Sequence, residues 1–333
     1  MQSKLAPKSP LARRLHQWAI DRGFPLLVRI APRLPRWLAF AAARAVIAVV
    51  MAVYPGPKRE IERNMGRILG RRIPGERASE REVRRARRLM LRNFAYYWTD
   101  LFRFCQLPFE RTRELLARVE GQEHFEAALA SRRGVILLTA HLGNWELGAA
   151  FMQERRLPLS VVYVRDQFAT AEAVRALLRG RIAVDEIPID PRAELSSLPV
   201  LRALKAGRIV SLQGDRDFNE RGEVVEFFGA PAPFPRGPML LARMTGAVLL
   251  PVFIVYDPRY RLEVYFRQPI EVEAGTGDRA GAARRALERW VAVLEEAVAR
   301  WPTQWYTFYH PWDDAAAVAE APEVSAAPER EAV

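Results

Sequence analysis

A single cysteine, Cys105, and four histidines are all that this 333-residue chain offers to thiol or metal chemistry. One cysteine excludes an internal disulfide and any cysteine-built metal cluster, and it fits a reducing compartment. His16, His124, His141 and His310 form no ligand-spaced set, so no metal is expected. The chain has no Gly-x-Ser-x-Gly elbow, and Cys105 has no histidine close to it in sequence, so it reads as a packing residue rather than a nucleophile. Zinc-finger spacing, an aromatic RNA-recognition signature and a helix-turn-helix pattern are all missing, which argues against nucleic acid as a partner. No cleavable signal peptide is expected either, because the first long apolar run begins only near Trp37 and contains Arg44. Acidic residues are nearly absent from the first 55 positions, where nine lysines and arginines face Asp21 alone.

That imbalance supplies most of the net charge of +12. A basic segment interleaved with apolar residues suits an anionic membrane surface or an acidic partner. Trp37–Tyr54 is the longest apolar run; as a helix it would measure ~27 Å, just short of the ~30 Å hydrocarbon core. Arg44 at its middle would cost ~2.5–3.5 kcal/mol at the bilayer centre. A helix lying in or on the cytoplasmic face is therefore the first reading, a single span the second, and a helix buried in the protein core the third. A further helix is expected from about Glu80 to Cys105, where Val83, Met90, Phe94, Tyr97, Leu101 and Phe104 recur at helical period. Its apolar face suits a protein core and a membrane equally, and Arg84, Arg85, Arg87, Arg88 and Arg92 crowd its N-terminal half.

From Gly134 the pattern alternates. Strands are expected at Val135–Thr139, Leu159–Val164, Val184–Ile189, Ile209–Gln213, Ala247–Tyr256 and Leu262–Phe266. Helices are expected at Trp145–Glu154, Ala169–Leu178, Leu195–Ala206, Gly237–Thr245 and near Arg279–Arg300. Near-continuous apolar strands separated by helices indicate an α/β fold with a central, mostly parallel sheet flanked by helices, preceded by the N-terminal membrane-associating segment. The expected organisation is that segment over residues 1–56, a helical region over 57–130, the α/β core over 131–314, and an Ala/Glu/Pro-rich disordered tail over 315–333.

Ligands of open α/β sheets bind beyond the carboxyl ends of the strands. His141 falls there, after Val135–Thr139, with Asn144 as an N-cap and Glu146 in the first turn of the next helix. From the preceding turn the His141 ring can fold back towards Glu146, whose carboxylate would fix its tautomer and stabilise the imidazolium. A histidine that only caps the turn is the alternative. A second strand end delivers Gly214-Asp215-Arg216-Asp217. The Arg216 guanidinium suits bidentate recognition of phosphate or carboxylate, with Asp215 and Asp217 holding it; a structural ion pair is the alternative. The stretch from Glu226 to Pro238, containing Phe228 and Arg236, reads as a proline-stiffened apolar loop that either lines a hydrocarbon slot or makes a rigid connection.

Taken in order, these blocks resemble the bacterial lipid A biosynthesis acyltransferases, within the wider lysophospholipid acyltransferase superfamily, from about residue 15 to residue 312. His141 to Glu146 resembles the His-x-x-x-x-Asp/Glu motif, Gly214-Asp215-Arg216 the second block and Phe227-Phe228-Gly229 with its Pro-rich exit the third. Leu250-Pro251 is similar to the fourth, and Pro302-Thr303-Gln304-Trp305-Tyr306 to the closing Pro-x-Gln-Trp-aromatic signature. The resemblance implies transfer of a fatty acyl group from an acyl-carrier-protein or acyl-CoA thioester to a hydroxyl of a lipid A precursor, at the cytoplasmic face of the inner membrane. It implies His141 as general base and Glu146 as its orienting partner. Asn144, Asp215, Arg216, Asp217, Phe228 and Arg236 would bind substrate, and no acyl-enzyme or cofactor beyond the thioester is implied. The ending Phe308-Tyr309-His310-Pro311-Trp312 departs from the basic ending of the enterobacterial enzymes. That departure leaves a phosphatidylinositol mannoside, an ornithine lipid or a lysophospholipid as alternative acceptors. A lipid hydrolase or thioesterase and a non-catalytic lipid-binding protein are the competing functional classes.

Overall fold

The computed structural model describes residues 22, 26, 29–53, 55–71, 77–104, 111, 113–155, 157–164, 172, 176–177, 180, 184–190, 196–218, 221–272 and 279–313. Cys105, His16, the basic residues before Arg22, most of the helix expected at Ala169–Leu178 and the tail from residue 315 lie outside them. Within them a seven-stranded sheet forms the centre. Its strands are β1 (Leu116–Glu120), β2 (Val135–Thr139), β3 (Leu159–Val164), β4 (Asp185–Ile189), β5 (Ile209–Gln213), β8 (Val248–Tyr256) and β9 (Leu262–Phe266), in the order β1-β9-β8-β2-β5-β3-β4. All neighbours are parallel except β8 and β9, which pair antiparallel.

The central strands are apolar throughout because both faces are covered. All five residues of β2 and all nine of β8 are buried. Alternation along β8 sends neighbours to opposite layers. Phe253 stacks on Trp290 of α8 (Arg279–Arg300), whereas Val252 and Ile254 face the layer that holds α5 (Trp145–Glu154). Helix α4 (Gln122–Ala130) lies with α5, its Phe125 stacked on Phe266 of β9 at 4.8 Å. Helices α6 (Leu198–Lys205) and α7 (Gly237–Thr245) lead into β5 and β8.

Where a loop was expected after Glu226, the chain forms an antiparallel hairpin, β6 (Glu223–Phe227) and β7 (Ala230–Phe234). Its two-residue turn is Phe228-Gly229, both with positive φ (48° and 71°), the backbone twist a tight hairpin requires. Of the four prolines from Glu226 to Pro238, Pro231 and Pro233 fall within β7 and weaken its strand signal. They are tolerated because this is a separate two-stranded ribbon in which neither strand is central.

Among the described residues, three long helices precede the sheet: α1 (Arg36–Val53), α2 (Gly56–Gly70) and α3 (Glu80–Phe104). Helix α3 opens with a reciprocal cap: Ser79 Oγ accepts from Glu82 N at 3.3 Å and Glu82 Oε2 accepts from Ser79 N at 2.9 Å. Its apolar stripe packs as a core face, with Met90, Tyr97, Leu101 and Phe104 buried. Helix α1 differs. It packs along α3 but buries only Ala39 and Met51 among its described residues, leaving Trp37 70 % and Val49 63 % exposed, with Val46 and Leu38 also outward. The reading of this run as a buried core helix is thus corrected: one side meets α3 and the rest faces outward. Among the described residues no single helix is long and apolar enough to cross a membrane.

Replacing Ser79 with Ala removes one half of the α3 cap and should cost about 1 kcal/mol. A thermal melt lowered by a few degrees would report it, and an unchanged melt would show that the cap contributes nothing.

Candidate active site

The turn after β2 sets the geometry. Gly143 has φ +71°, and a Cβ there would overlap the carbonyl oxygen of Ile254 on β8. Only glycine allows this approach, and it lets Asn144 N donate to Ile254 O at 2.8 Å and Gly143 N to Gln304 O at 2.9 Å. The turn is therefore clamped between β8 and the C-terminal segment, and His141 is held at the carboxyl edge of the sheet.

The partner of the His141 ring is Asp215. Its Oδ1 lies 2.8 Å from His141 Nδ1, its Oδ2 accepts from His141 N at 3.1 Å, and Oδ2 also accepts from Trp305 Nε1 at 3.1 Å. The Asp215 side chain is fully buried, whereas that of His141 keeps 12 % of its surface. Burial alone would raise the Asp215 pKa; the charge of His141, its hydrogen bonds and the nearby Arg216 outweigh burial and hold it at about 2. An ionised Asp215 accepts only, so Nδ1 carries a ring proton, and in the neutral ring Nε2 is left as the basic nitrogen. The Trp145 ring stands edge-on to the imidazole at 5.0 Å and stacks in turn on Tyr97 of α3.

His141 opens into a cavity of about 310 Å³. One face of the sheet is its wall: Val264 and Phe266 of β9, Val252 and Ile254 of β8, Leu137 and Thr139 of β2, Ser211 and Gln213 of β5, and Val161 of β3. Five adjacent strands span about 19 Å, the shape of a long narrow slot rather than a cup. Helix α5 (Glu146, Gly148, Met152) covers it, and Phe94, Tyr97 and Trp98 of α3 close one side. The C-terminal segment completes the frame, since Tyr306 N donates to His141 O and Arg216 donates to Tyr306 O at 2.7 Å.

The structure thus brings His141, Glu146 and Arg216 together in the cavity wall, with Asp215 directly behind His141. Asp215, expected among the substrate-binding residues, lies outside the cavity lining; its oxygens are turned to His141 and Trp305 because the strand ends of β2 and β5 lie side by side, Thr139 beside Gln213. The other residues assigned to substrate lie outside the cavity lining. Asn144 is fully buried and donates to the Tyr256 hydroxyl at 2.6 Å. Asp217 accepts from Gly222 N at 2.6 Å within its own loop. Phe228 is buried in the hairpin turn, its N donating to Glu295 of α8, and Arg236 is exposed at the start of α7. Trp305 and Tyr306, quoted only as a signature, prove to be site scaffold. Phe94 and Tyr97 belong to the apolar stripe expected on α3, whose helical period does not tell a core or membrane face from a cavity wall; Trp98 lies beside that stripe and joins the same wall.

The profile of one family, described as bacterial lipid A biosynthesis acyltransferase, matches residues 7–313. The chain belongs to that family. Among its relatives, the phosphatidylinositol mannoside acyltransferase of Mycobacterium tuberculosis (strain ATCC 25618 / H37Rv) is 26 % identical over 308 residues, 92 % of this chain and 91 % of the relative. That of Mycolicibacterium smegmatis is 25 % identical over 283 residues, 84 % and 88 % of the two chains. The lipid A biosynthesis lauroyltransferase of Escherichia coli (strain K12) is 30 % identical over 167 residues, 49 % of each. The protein is an acyltransferase.

The folded-state value of Asp215 near 2 against 3.8 in the free side chain makes stability depend on acid. The unfolded chain binds the extra proton between those values, so this contribution, about 2 kcal/mol, is full above pH 4 and lost as pH falls towards 2. Asp215→Asn should flatten the loss of melting temperature over that window; an unaltered acid slope would show that the ion pair contributes nothing.

Proposed function

We propose that this protein is a membrane-associated O-acyltransferase that moves a fatty acyl chain from an acyl-carrier-protein or CoA thioester to a sugar hydroxyl of an anionic membrane lipid. The observation that carries the reading is a histidine oriented by a buried carboxylate at the wall of a long, mostly apolar slot. Nε2 of His141 takes the proton from the acceptor hydroxyl as its oxygen attacks the thioester carbonyl. Asp215 stabilises the imidazolium that forms. The tetrahedral oxyanion lies within reach of Arg216, and its collapse expels the thiolate, which recovers the proton from His141. The acyl chain lies along the sheet face under α5, and Glu146, in the first turn of that helix, stands with His141 in the wall at the acceptor side.

The sequence motifs alone favour a lipid A precursor as acceptor. The phosphatidylinositol mannoside acyltransferases named above align over more than four fifths of both chains, the lipid A biosynthesis palmitoleoyltransferase of Escherichia coli over about two thirds and the lauroyltransferase over half. This supports a second reading, a mannosylated phosphatidylinositol-type acceptor; in both the attacking group is a sugar hydroxyl on an anionic lipid. The outward apolar side of α1, next to exposed arginines of α3 such as Arg85, Arg88 and Arg92, suits the cytoplasmic surface of an anionic inner membrane.

His141→Ala should lower transfer from palmitoyl-CoA by ~10²–10⁴ or more, and Asp215→Asn by ~10² or more, at unchanged protein folding. Mass spectrometry of the products, with a lipid A precursor and phosphatidylinositol mannoside supplied in parallel, identifies the acceptor. Release of free fatty acid without acceptor-dependent transfer would replace this reading with a hydrolase. Deleting residues 1–55 should release the protein from sedimenting anionic vesicles, and undiminished co-sedimentation would refute the docking role of that segment.

A further inference from the structure

Four side chains, none of them in the cavity wall, connect the lipid-facing helix α1 to the catalytic turn. Arg36, the first residue of α1, makes a two-pronged pair with Asp100 of α3, Nε to Oδ1 at 3.0 Å and Nη2 to Oδ2 at 2.7 Å, and also donates to Tyr260 O at 2.8 Å. Asp100 is fully buried, and its Oδ2 accepts from the hydroxyl of Tyr256 at 2.9 Å. Tyr256, the last residue of β8, accepts from Asn144 Nδ2 at 2.6 Å. Asn144 stands two residues before Glu146 and next to Trp145, the ring against His141.

The chemistry gives this chain one direction. A carboxylate only accepts, so the single Tyr256 proton goes to Asp100, and the Tyr256 oxygen must then accept from the Asn144 amide. The Asn144 side chain is therefore oriented from α3 and, through Asp100, from Arg36. No other described cation bonds Asp100. Arg36 itself is held only as long as α1 stays on α3, where Arg103 caps the preceding carbonyls of Ala31 and Leu34 and Phe40 stacks on Tyr96. If α1 lifts, a buried carboxylate loses the only described guanidinium bonded to it and keeps just the more distant charge of Arg103 on its own helix, a costly change in a protein interior. A core that needed only stability would be served as well by apolar packing at this point. What the polar chain adds is a fixed geometry for the turn.

We propose that Arg36 and Asp100 are positioning residues: through Tyr256 and Asn144 they hold the His141–Glu146 turn in working register while α1 is seated, so that attachment to lipid and turnover are coupled. The kinetic part of the following test rests on the acyl-transfer reading; the exchange part does not.

The full-length chain should be compared with Tyr256→Phe, which removes one hydroxyl, and with Arg36→Met/Asp100→Leu, which replaces the buried pair by apolar groups. On vesicles of phosphatidylethanolamine and phosphatidylglycerol bearing phosphatidylinositol mannoside or a lipid A precursor, with palmitoyl-CoA as donor, kcat should fall of the order of ten- to a hundred-fold in both variants. KM for the thioester should stay within about two-fold, and vesicle co-sedimentation should not change. Independently of any turnover, vesicles should slow amide hydrogen exchange over residues 141–147 in the wild type, and this slowing should be lost in Tyr256→Phe. Wild-type kcat in a folded variant, a kcat loss that merely tracks a lowered melting temperature or lost vesicle binding, or identical exchange in wild type and Tyr256→Phe would each overturn the proposal. If the wild type transfers nothing to either acceptor, the acyl-transfer reading fails, and the exchange result alone decides the coupling.

Discussion

The carboxylate of Asp215 is the point on which the site depends. It lies beneath the surface, yet it remains ionised because every donor aimed at it is positive or polar: the His141 ring, the His141 amide and the Trp305 indole. A buried charge with three donors is rigid, since moving any one of them exposes the charge to an apolar interior. The imidazole is thereby held in one tautomer, and the loops after β2 and β5 are locked to the Trp305 segment. One group fixes both the protonation and the architecture of the site.

Around this pivot the protein separates two environments. Asp215 and its donors lie behind the histidine, while ahead of it the sheet face presents mainly aliphatic and aromatic side chains beneath α5. A thioester placed between them would have its reacting carbon at the polar edge and its hydrocarbon along the strands. The same parallel strands that expose polar loops at their carboxyl ends supply an apolar floor along their length. Both needs of acyl transfer are met by one sheet, and the family membership of the chain is consistent with that economy.

The N-terminal helices add a second polar system, separate from the first. Arg36, Asp100, Tyr256 and Asn144 run from α1 through α3 to the turn after β2, so a helix with a broad outward apolar side is bonded to the loop that holds His141. Aromatic side chains of α3 also wall the cavity, so that helix touches both α1 and the slot.

Much of this was legible in the chain. Apolar runs near five to nine residues specify buried strands, and the spacing between them specifies helical crossovers; β2, β3, β5, β9, α5 and α7 fall at the positions expected from periodicity. The β6–β7 ribbon was hidden because its prolines suppress a strand signal that depends on neighbours, and β1 because a short, half-exposed edge strand has little apolar pattern. For the site, sequence order gave His141, Glu146 and Arg216 as chemistry-bearing residues at strand ends. It paired His141 with the carboxylate five residues away, whereas folding sets it on one 74 residues distant. Chain proximity governs which groups share a turn. Which strand ends become neighbours, and hence which carboxylate meets which imidazole, is decided only when β2 and β5 pair in the sheet. The Arg36–Asp100 pair was likewise invisible, because nothing in a local pattern tells a buried aspartate which helix will bring its counter-charge.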